Sequence, residues 1–290
     1  MKTTRQMHLD ISSSHFSPDT ISSVGRFRKM VLSYYAEHGR DLAWRRTRDP
    51  YRILVSEIML QQTQVERVQE KYPAFIASFP DFPSLAGAPL PEVLAVWQGM
   101  GYNRRAISLK KCALRVVGEY DGALPQDAEI LETFPGIGRA TAASICAFAF
   151  NMPVVFIETN IRRVFIHFFF GDRDGVDDSE ILPVARLALY GEDPRTWYNA
   201  LMDLGAALKK TTENPNRRSR HYTKQAAFEG SDRKIRGHIL RLLLAEKQLT
   251  IKDLAGKCRE DPARIARILD GLEAEGFIAR TASRYTIAGR

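Results

Sequence analysis

This sequence predicts an all-α protein, with one large helical domain followed by a small three-helix unit closed by a β-hairpin. Three observations carry that prediction. Apolar residues recur at helical spacing through most of the chain. Gly, Pro and Asp interrupt them at short intervals, as tight loops between short helices require. Alternating strand patterning is almost missing before residue 275. With 290 residues, 44% of them hydrophobic, the chain has material for one large or two moderate domains.

Residues 1–20 are polar and Ser-rich and are expected to form a loose arm. Ile21–His38 reads as an amphipathic helix with Phe27, Met30, Val31 and Tyr34 on one face. The loop GRDLAWRRTRDPYR carries five arginines, and Pro50 is placed at the first position of the next helix. Tyr51–Phe79 is helical, with a break expected at Pro73. Further helices are expected at Ser84–Ala86, Leu90–Trp97, Arg104–Tyr120 and Ala128–Thr133, and the helical domain as a whole over 21–208. Residues 209–231 read as a basic linker, since 209–236 hold nine Lys and Arg against three acids. That charge suits either a phosphate backbone or plain solvation.

Residues 232–290 predict a winged-helix-like unit. A helix over Asp232–Glu246 is followed by Thr250-x-x-Asp253, a capping pattern for a second helix. Asp261–Pro262 opens a third, with Ile265, Ile268, Leu269 and Leu272 at helical spacing. Gly276 ends it, and FIAR-TASR-YTIA reads as a hairpin wing. Such units either bind DNA through the third helix or serve as protein contacts.

Lys and Arg outnumber Asp and Glu by 42 to 34, a modest excess that favours polyanionic partners. The three cysteines, Cys112, Cys146 and Cys258, are scattered, which argues against a disulfide framework or a Cys-rich metal site. The N-terminus lacks a signal-peptide core, and no apolar run approaches the ~20 residues that span a bilayer. A cytoplasmic monomer without membrane contact is expected, nucleoid-associated if the source is prokaryotic.

Three segments carry chemistry. Phe134-Pro135-Gly136-Ile137-Gly138-Arg139 lies between two helices. Its glycines permit a tight hairpin with Ile137 plugged inward, leaving backbone N–H groups and Thr141 to hold a phosphate. As a bare pattern it is equally a plain helix turn. In SEIMLQQTQV, Glu57 and Gln61 are four apart and share a helix face. A carboxyl among Ile53, Leu54, Met59 and Leu60 is expected to hold its proton more tightly than usual and so suit a general acid, unless that face is merely solvated. In VVFIETNIRR an apolar run delivers Glu158, either a helix N-cap or a second carboxylate. Breaking an N-glycosidic bond needs one group to protonate the leaving base and an anion for the cationic sugar.

SEIMLQQTQV, WQGMGYNRRA, FPGIGRATAASI and ETNIRR, in this order, resemble the adenine DNA glycosylase (MutY-like) branch of the helix-hairpin-helix DNA glycosylases. The resemblance covers about residues 25–210 and implies the two-lobed fold of that family. It implies that Glu57 protonates the base, that Glu158 stabilises the sugar cation and that Asn160 lies in the active site. It further implies that Gln62 and Tyr102 wedge into the base stack and that Trp44 and Arg45 lie beside the base pocket. For Trp44 and Tyr102 ordinary packing is the competing reading. The partner implied is double-stranded DNA with a mismatched or damaged base, and the reaction is excision of adenine opposite guanine or 8-oxoguanine. Another excised base, or a DNA-binding protein without catalysis, are the alternatives.

The chain departs from that family in four places. Glu158 stands where the family has aspartate, displacing the charge by about an angstrom. No cysteine follows Leu201–Ala206, so the family's [4Fe–4S] cluster is expected absent and no metal is expected. Ala140 stands where a lyase-type relative has lysine, which implies a monofunctional enzyme. Residues 232–290 do not resemble the domain that reads the opposite base in that family.

Overall fold

The structure, a computed structural model, describes residues 18–223 and 230–289. The expected arm over 1–20 falls almost wholly outside them. The helices run in chain order α1 (Pro18–His38), α2 (Pro50–Leu60), α3 (Val65–Ser78), α4 (Phe82–Gly87), α5 (Leu90–Val96), α6 (Arg104–Glu119) and α7 (Ala128–Glu132). They continue as α8 (Arg139–Phe150), α9 (Thr159–Phe169), α10 (Asp178–Ala188), α11 (Pro194–Thr211), α12 (Asp232–Glu246), α13 (Ile251–Cys258) and α14 (Pro262–Ala274). Three short strands, β1 (Gln248–Thr250), β2 (Ile278–Thr281) and β3 (Arg284–Ile287), lie near the C-terminus. The chain divides into two compact units.

The first unit holds the described residues of Met1–Pro50, Gln126–Glu132 and Gly138–Lys224. Its core follows from the spacing in α9, where Phe165, Phe168 and Phe169 fall on one face. All three rings meet Phe27 of α1, which also meets Trp197 of α11, with centroids 4.8–6.0 Å apart. Arg28, next to Phe27, donates to the carbonyls of Leu187, Ala188 and Leu189 and so satisfies the C-terminal end of α10.

The linker expected over 209–231 is corrected in this unit. Lys209–Thr211 still belong to α11, and Pro215–Arg218 form a 3-10 turn. Pro215 and Asn216 are buried, and Val176 N–H donates to Arg218 O while Arg220 N–H donates to Val176 O. Part of the charge that suggested a linker is neutralised locally. Arg217 pairs with Glu213, Arg218 with Asp172 and Arg220 with Asp177. Residues 224–229 lie outside the described residues.

The second unit holds Tyr51–Pro125, Thr133–Ile137 and the described residues of Gln225–Arg290. Tyr51 meets Phe82 edge-on and donates to Phe79 O at 2.5 Å, and Phe75 meets Trp97. The break expected at Pro73 falls instead between Leu60 and Val65. Proline removes a single helical N–H here, and the flanking Tyr72 and Phe75, both buried, hold α3 together. The true break is a turn containing Gln62 at φ +53°.

The C-terminal part of this unit has winged-helix order, with α12, β1, α13 and α14 followed by the β2–β3 hairpin. The sheet is antiparallel with β3 central, in the order β1-β3-β2. Ile235, Ile239, Leu243, Leu254, Leu269 and Phe277 form its core. Thr250 and Asp253 cap α13 reciprocally, and Asp261 caps α14. Strand β1 was not foreseen, because three residues are too few to show alternation.

Candidate active site

In the second unit the candidate residues gather at the C-terminal end of α2. Glu57 is half-buried on this helix, between the fully covered Ser56 and Ile58. The helix stops at Leu60, so Gln61 falls just beyond it rather than on its face. Gln61 turns to the hairpin motif and donates to Gly136 O at 3.1 Å. Gly136 has φ +77°, and a Cβ there would stand 2.8 Å from the Cβ of Ser108. Only glycine meets both constraints. Pro135 is half-buried and Ile137 is buried, the inward plug the motif predicts.

Gln62 and Tyr102 share an unusual backbone state. Both lie in the left-handed region, at φ +53° and φ +46°, where non-glycine residues pay about 1–3 kcal/mol. Gln62 is exposed and Tyr102 half-buried. One side chain serves both turns. The buried guanidinium of Arg105 donates to the carbonyls of Ile58, Met59, Gln61, Met100 and Gly101, at 2.6–3.3 Å, and to Thr63 Oγ1 at 2.9 Å. The Gln61 and Gly101 carbonyls belong to the peptides that directly precede Gln62 and Tyr102. Arg105 therefore satisfies the end of α2 and holds the two strained turns. Desolvation lowers its pKa to about 10, so it stays cationic at neutral pH.

In the first unit Glu158 caps α9. Its Oε1 accepts from Asn160 N–H at 2.7 Å and Ile161 N–H at 2.9 Å, and its Oε2 faces Asn160 Nδ2 at 3.4 Å. Of the two sequence readings of Glu158, this geometry shows the N-cap. Burial among protein atoms raises its pKa, despite the two amides and the Arg163 and Arg162 charges that oppose the rise. Asn160 Oδ1 accepts from Arg163 Nη1 at 2.8 Å, and the same nitrogen donates to Gly205 O at 2.7 Å. A Cβ at Gly205 would collide with the Asn160 carbonyl, so this glycine lets α11 approach the start of α9. Asn214 Oδ1 accepts from Arg163 Nε at 3.0 Å, and Asn216 Nδ2 donates to Thr159 O at 2.8 Å. These asparagines, unnoticed within a basic stretch, tie it to the first turn of α9.

Trp44 is buried in the first unit. Arg45, read from the sequence as a pocket residue, is already engaged. Its terminal nitrogens bind both oxygens of Asp203, at 2.8 and 2.7 Å, and Arg40 joins at 2.7 Å. Burial alone would raise the Asp203 pKa, but these donors bring it below the ordinary range. Asp203 was missed in the sequence, where a lone acid inside the apolar stretch LMDLGAAL was the available signal. The hairpin's second half opens α8 with Gly138 as N-cap and no side-chain cap. Arg139, Ala140 and Thr141 follow as the first turn.

The thiols do not fit a four-thiolate cluster. The chain has three cysteines in all. Burial raises Cys112 to about 12 and Cys146 to about 11, so both are neutral thiols at pH 7, and a four-cysteine cluster needs one more cysteine than the chain holds. Cys112 instead donates to Pro135 O at 3.3 Å. No helix among the described residues is long and apolar enough to cross a membrane.

Residues 55–182 match the HhH-GPD superfamily of base excision DNA repair proteins, and residues 236–284 match the MarR family. The chain is 36% identical over 279 residues to the adenine DNA glycosylase of Mycolicibacterium smegmatis, a match covering 89% of this chain and 95% of that one. It is 32% identical over 287 residues to that of Mycobacterium tuberculosis, covering 89% and 92%. The human adenine DNA glycosylase matches at 38% over 167 residues, 54% of this chain and 30% of that one. Among solved structures, a thermostable thymine-DNA glycosylase superposes with a TM-score of 0.58 at 26% identity, covering 64% of this chain and 88% of that one. A non-covalent endonuclease III–DNA complex superposes at 0.54 and 18% identity over 63% and 84%, a likeness of fold alone.

Proposed function

Because this chain belongs to the adenine DNA glycosylase family of helix-hairpin-helix base excision repair proteins, we propose that it excises adenine mispaired with guanine or 8-oxoguanine, by simple hydrolysis. The observation that carries this reading is the end of α2, where Glu57 is followed within five residues by Gln62 in a strained turn. A second such turn, at Tyr102, is held by the same arginine.

Each group has a task in this reading. Gln62 and Tyr102 fill the gap in the base stack while the adenine is flipped out. Glu57 gives its proton to the leaving adenine as the N-glycosidic bond breaks and the electron pair departs with the base. The resulting carboxylate then takes a proton from the water that adds to the sugar carbon. Glu158 supplies the anion facing the oxocarbenium-like sugar, held on the first turn of α9 together with Asn160. The uncapped amides opening α8, from Gly138 and Arg139 to Thr141, bind a DNA phosphate. Ala140 provides no amine, so strand cleavage through a Schiff base does not occur. Arg45 acts through Asp203 as an anchor of the loop carrying Trp44. The protein works as a monomer without an iron–sulfur cluster.

The test is a panel of duplexes, each with one lesion or mismatch, followed by alkaline cleavage. Release of adenine opposite guanine or 8-oxoguanine, and of no other base, is expected. Release of thymine or uracil from mismatches would overturn the adenine assignment and favour the thymine-DNA glycosylase likeness.

Glu158→Gln separates capping from charge. The amide oxygen still accepts from Asn160 and Ile161, while the anion is lost. Base release is expected to fall by about 10²–10³-fold. The stability effect has the opposite sign. A carboxyl with a raised folded pKa contributes stability present below its unfolded pKa and lost as pH rises through the folded value. At pH 7 the variant should therefore melt no lower than the parent, and below the ordinary Glu range it should lose ground. Thermal melts from pH 4 to 8 check this.

A further inference from the structure

The winged-helix-like part of the second unit reaches the Tyr102 turn through three charged side chains. Arg233, in the first turn of α12, donates from Nη1 to the Tyr102 hydroxyl at 2.6 Å. Its guanidinium also lies over the Tyr102 ring, 5.2 Å from the centroid. Arg105 lies 5.5 Å from the same centroid, so two arginines attend one aromatic ring. Arg236 is three residues after Arg233 and shares its helix face. It donates to Glu275, just beyond the end of α14, at 2.5 Å. Glu275 also takes both nitrogens of the Arg104 fork, at 2.6 Å each. Arg104 stands two residues after Tyr102, so this part of the unit contacts the turn at two positions.

The helix that would read DNA in a winged helix is occupied differently. Arg264 of α14 pairs with Asp232 and Glu260, and Arg267 pairs with Asp232. The other charged side chains exposed on α14 are Asp270 and Glu273, which repel a phosphate backbone. Basic character suited to the major groove is therefore compensated on this helix, while Arg233 of α12 reaches Tyr102 and Glu275 reaches Arg104.

We propose that the winged-helix-like unit positions the wedge rather than reading DNA, with Arg233 as the positioning residue for Tyr102. This rests on the reading of Tyr102 as the residue that fills the base stack. A tyrosine on a left-handed turn has a backbone that other residues would leave readily, and its ring has two further torsions to lose on ordering. The hydrogen bond from a cationic donor fixes the ring from its tip, so less ordering remains to be done when DNA binds.

The full-length chain and four variants test it. Tyr102→Ala removes the wedge, Tyr102→Phe removes only the hydroxyl, Arg233→Ala removes the donor and Arg233→Lys keeps a donor. Unstacking is read as the fluorescence of a duplex with 2-aminopurine at the target position, and base release is read in single-turnover assays on the adenine mismatch. Tyr102→Phe and Arg233→Ala should each lower the unstacked fraction and the release rate by roughly three- to tenfold, the range of one hydrogen bond's typical net contribution. The double variant should lose no more than either single one, and Arg233→Lys should retain most of the effect. Melting temperatures should stay near the parent's, since Glu275 still holds Arg104 and Arg236. If Tyr102→Ala lowers unstacking while Tyr102→Phe and Arg233→Ala match the parent, the positioning role is overturned and the wedge reading stands. If Tyr102→Ala has no effect, both fall. A rise in activity in Arg233→Ala would also overturn it, since the contact would then be a latch.

Discussion

Glu57→Gln is expected to abolish base release while leaving DNA binding within about twofold of the parent. The magnitude follows from the chemistry. Adenine leaves as a poor anion unless it is protonated, and the same carboxyl is then needed as a base toward water. Positioned acid–base catalysis contributes about 10²–10⁴-fold, and loss of a group serving both steps falls at the upper end of that range. Glutamine keeps the volume and polarity of the half-buried position, so α2 should not unfold. The affinity should survive because the phosphate contacts assigned to α8 lie in other residues. Single-turnover release of adenine, paired with a gel-shift titration at fixed salt, checks both halves. Turnover within tenfold of the parent would remove Glu57 from the chemistry.

Local signals were legible in the sequence where the physics is local. Asp261–Pro262 and Thr250/Asp253 carry their caps within three residues, and α13 and α14 begin where those patterns put them. Gly136 was legible for the same reason. The strained turns were not, since neither Gln62 nor Tyr102 is a residue type that announces a positive φ. Pro73 misled because the helix rule weighs one lost hydrogen bond without the burial that offsets it. The stretch after α11 misled in another way. Its charge drew notice, while the residues fastening it to α9 are the uncharged Asn214 and Asn216. Arg105 and Arg233 were indistinguishable from other basic residues of a basic chain. Their partners are carbonyls and a hydroxyl from distant segments, 131 positions away for Arg233 and Tyr102.

Arg105→Met should be the most destabilising single change near the site, at about 3–5 kcal/mol. Methionine retains much of the packing volume, so the loss isolates the polar shell. Five carbonyl oxygens would lose the Arg105 donor at once, though Gly101 O keeps the one from Trp97 Nε1, in a region with 8% exposure at residue 105. Each buried acceptor left without a partner costs about 1–3 kcal/mol, partly relieved as water enters. For a chain of this size that corresponds to a drop in melting temperature of roughly 10–15 °C. Arg105→Lys should recover only part of the loss, because one ammonium cannot span the carbonyls of both turns as a planar fork does. The functional effect should exceed the stability effect. At a temperature where the Lys variant is fully folded, Gln62 and Tyr102 lose the common restraint on the peptides that precede them. Their strained conformers should then become less populated, and the unstacked fraction of bound duplex should fall although Glu57 is untouched. A folded Lys variant that melts several degrees lower yet unstacks the target base as well as the parent would confine Arg105 to stability. The wedge turns would then owe their geometry to the DNA instead.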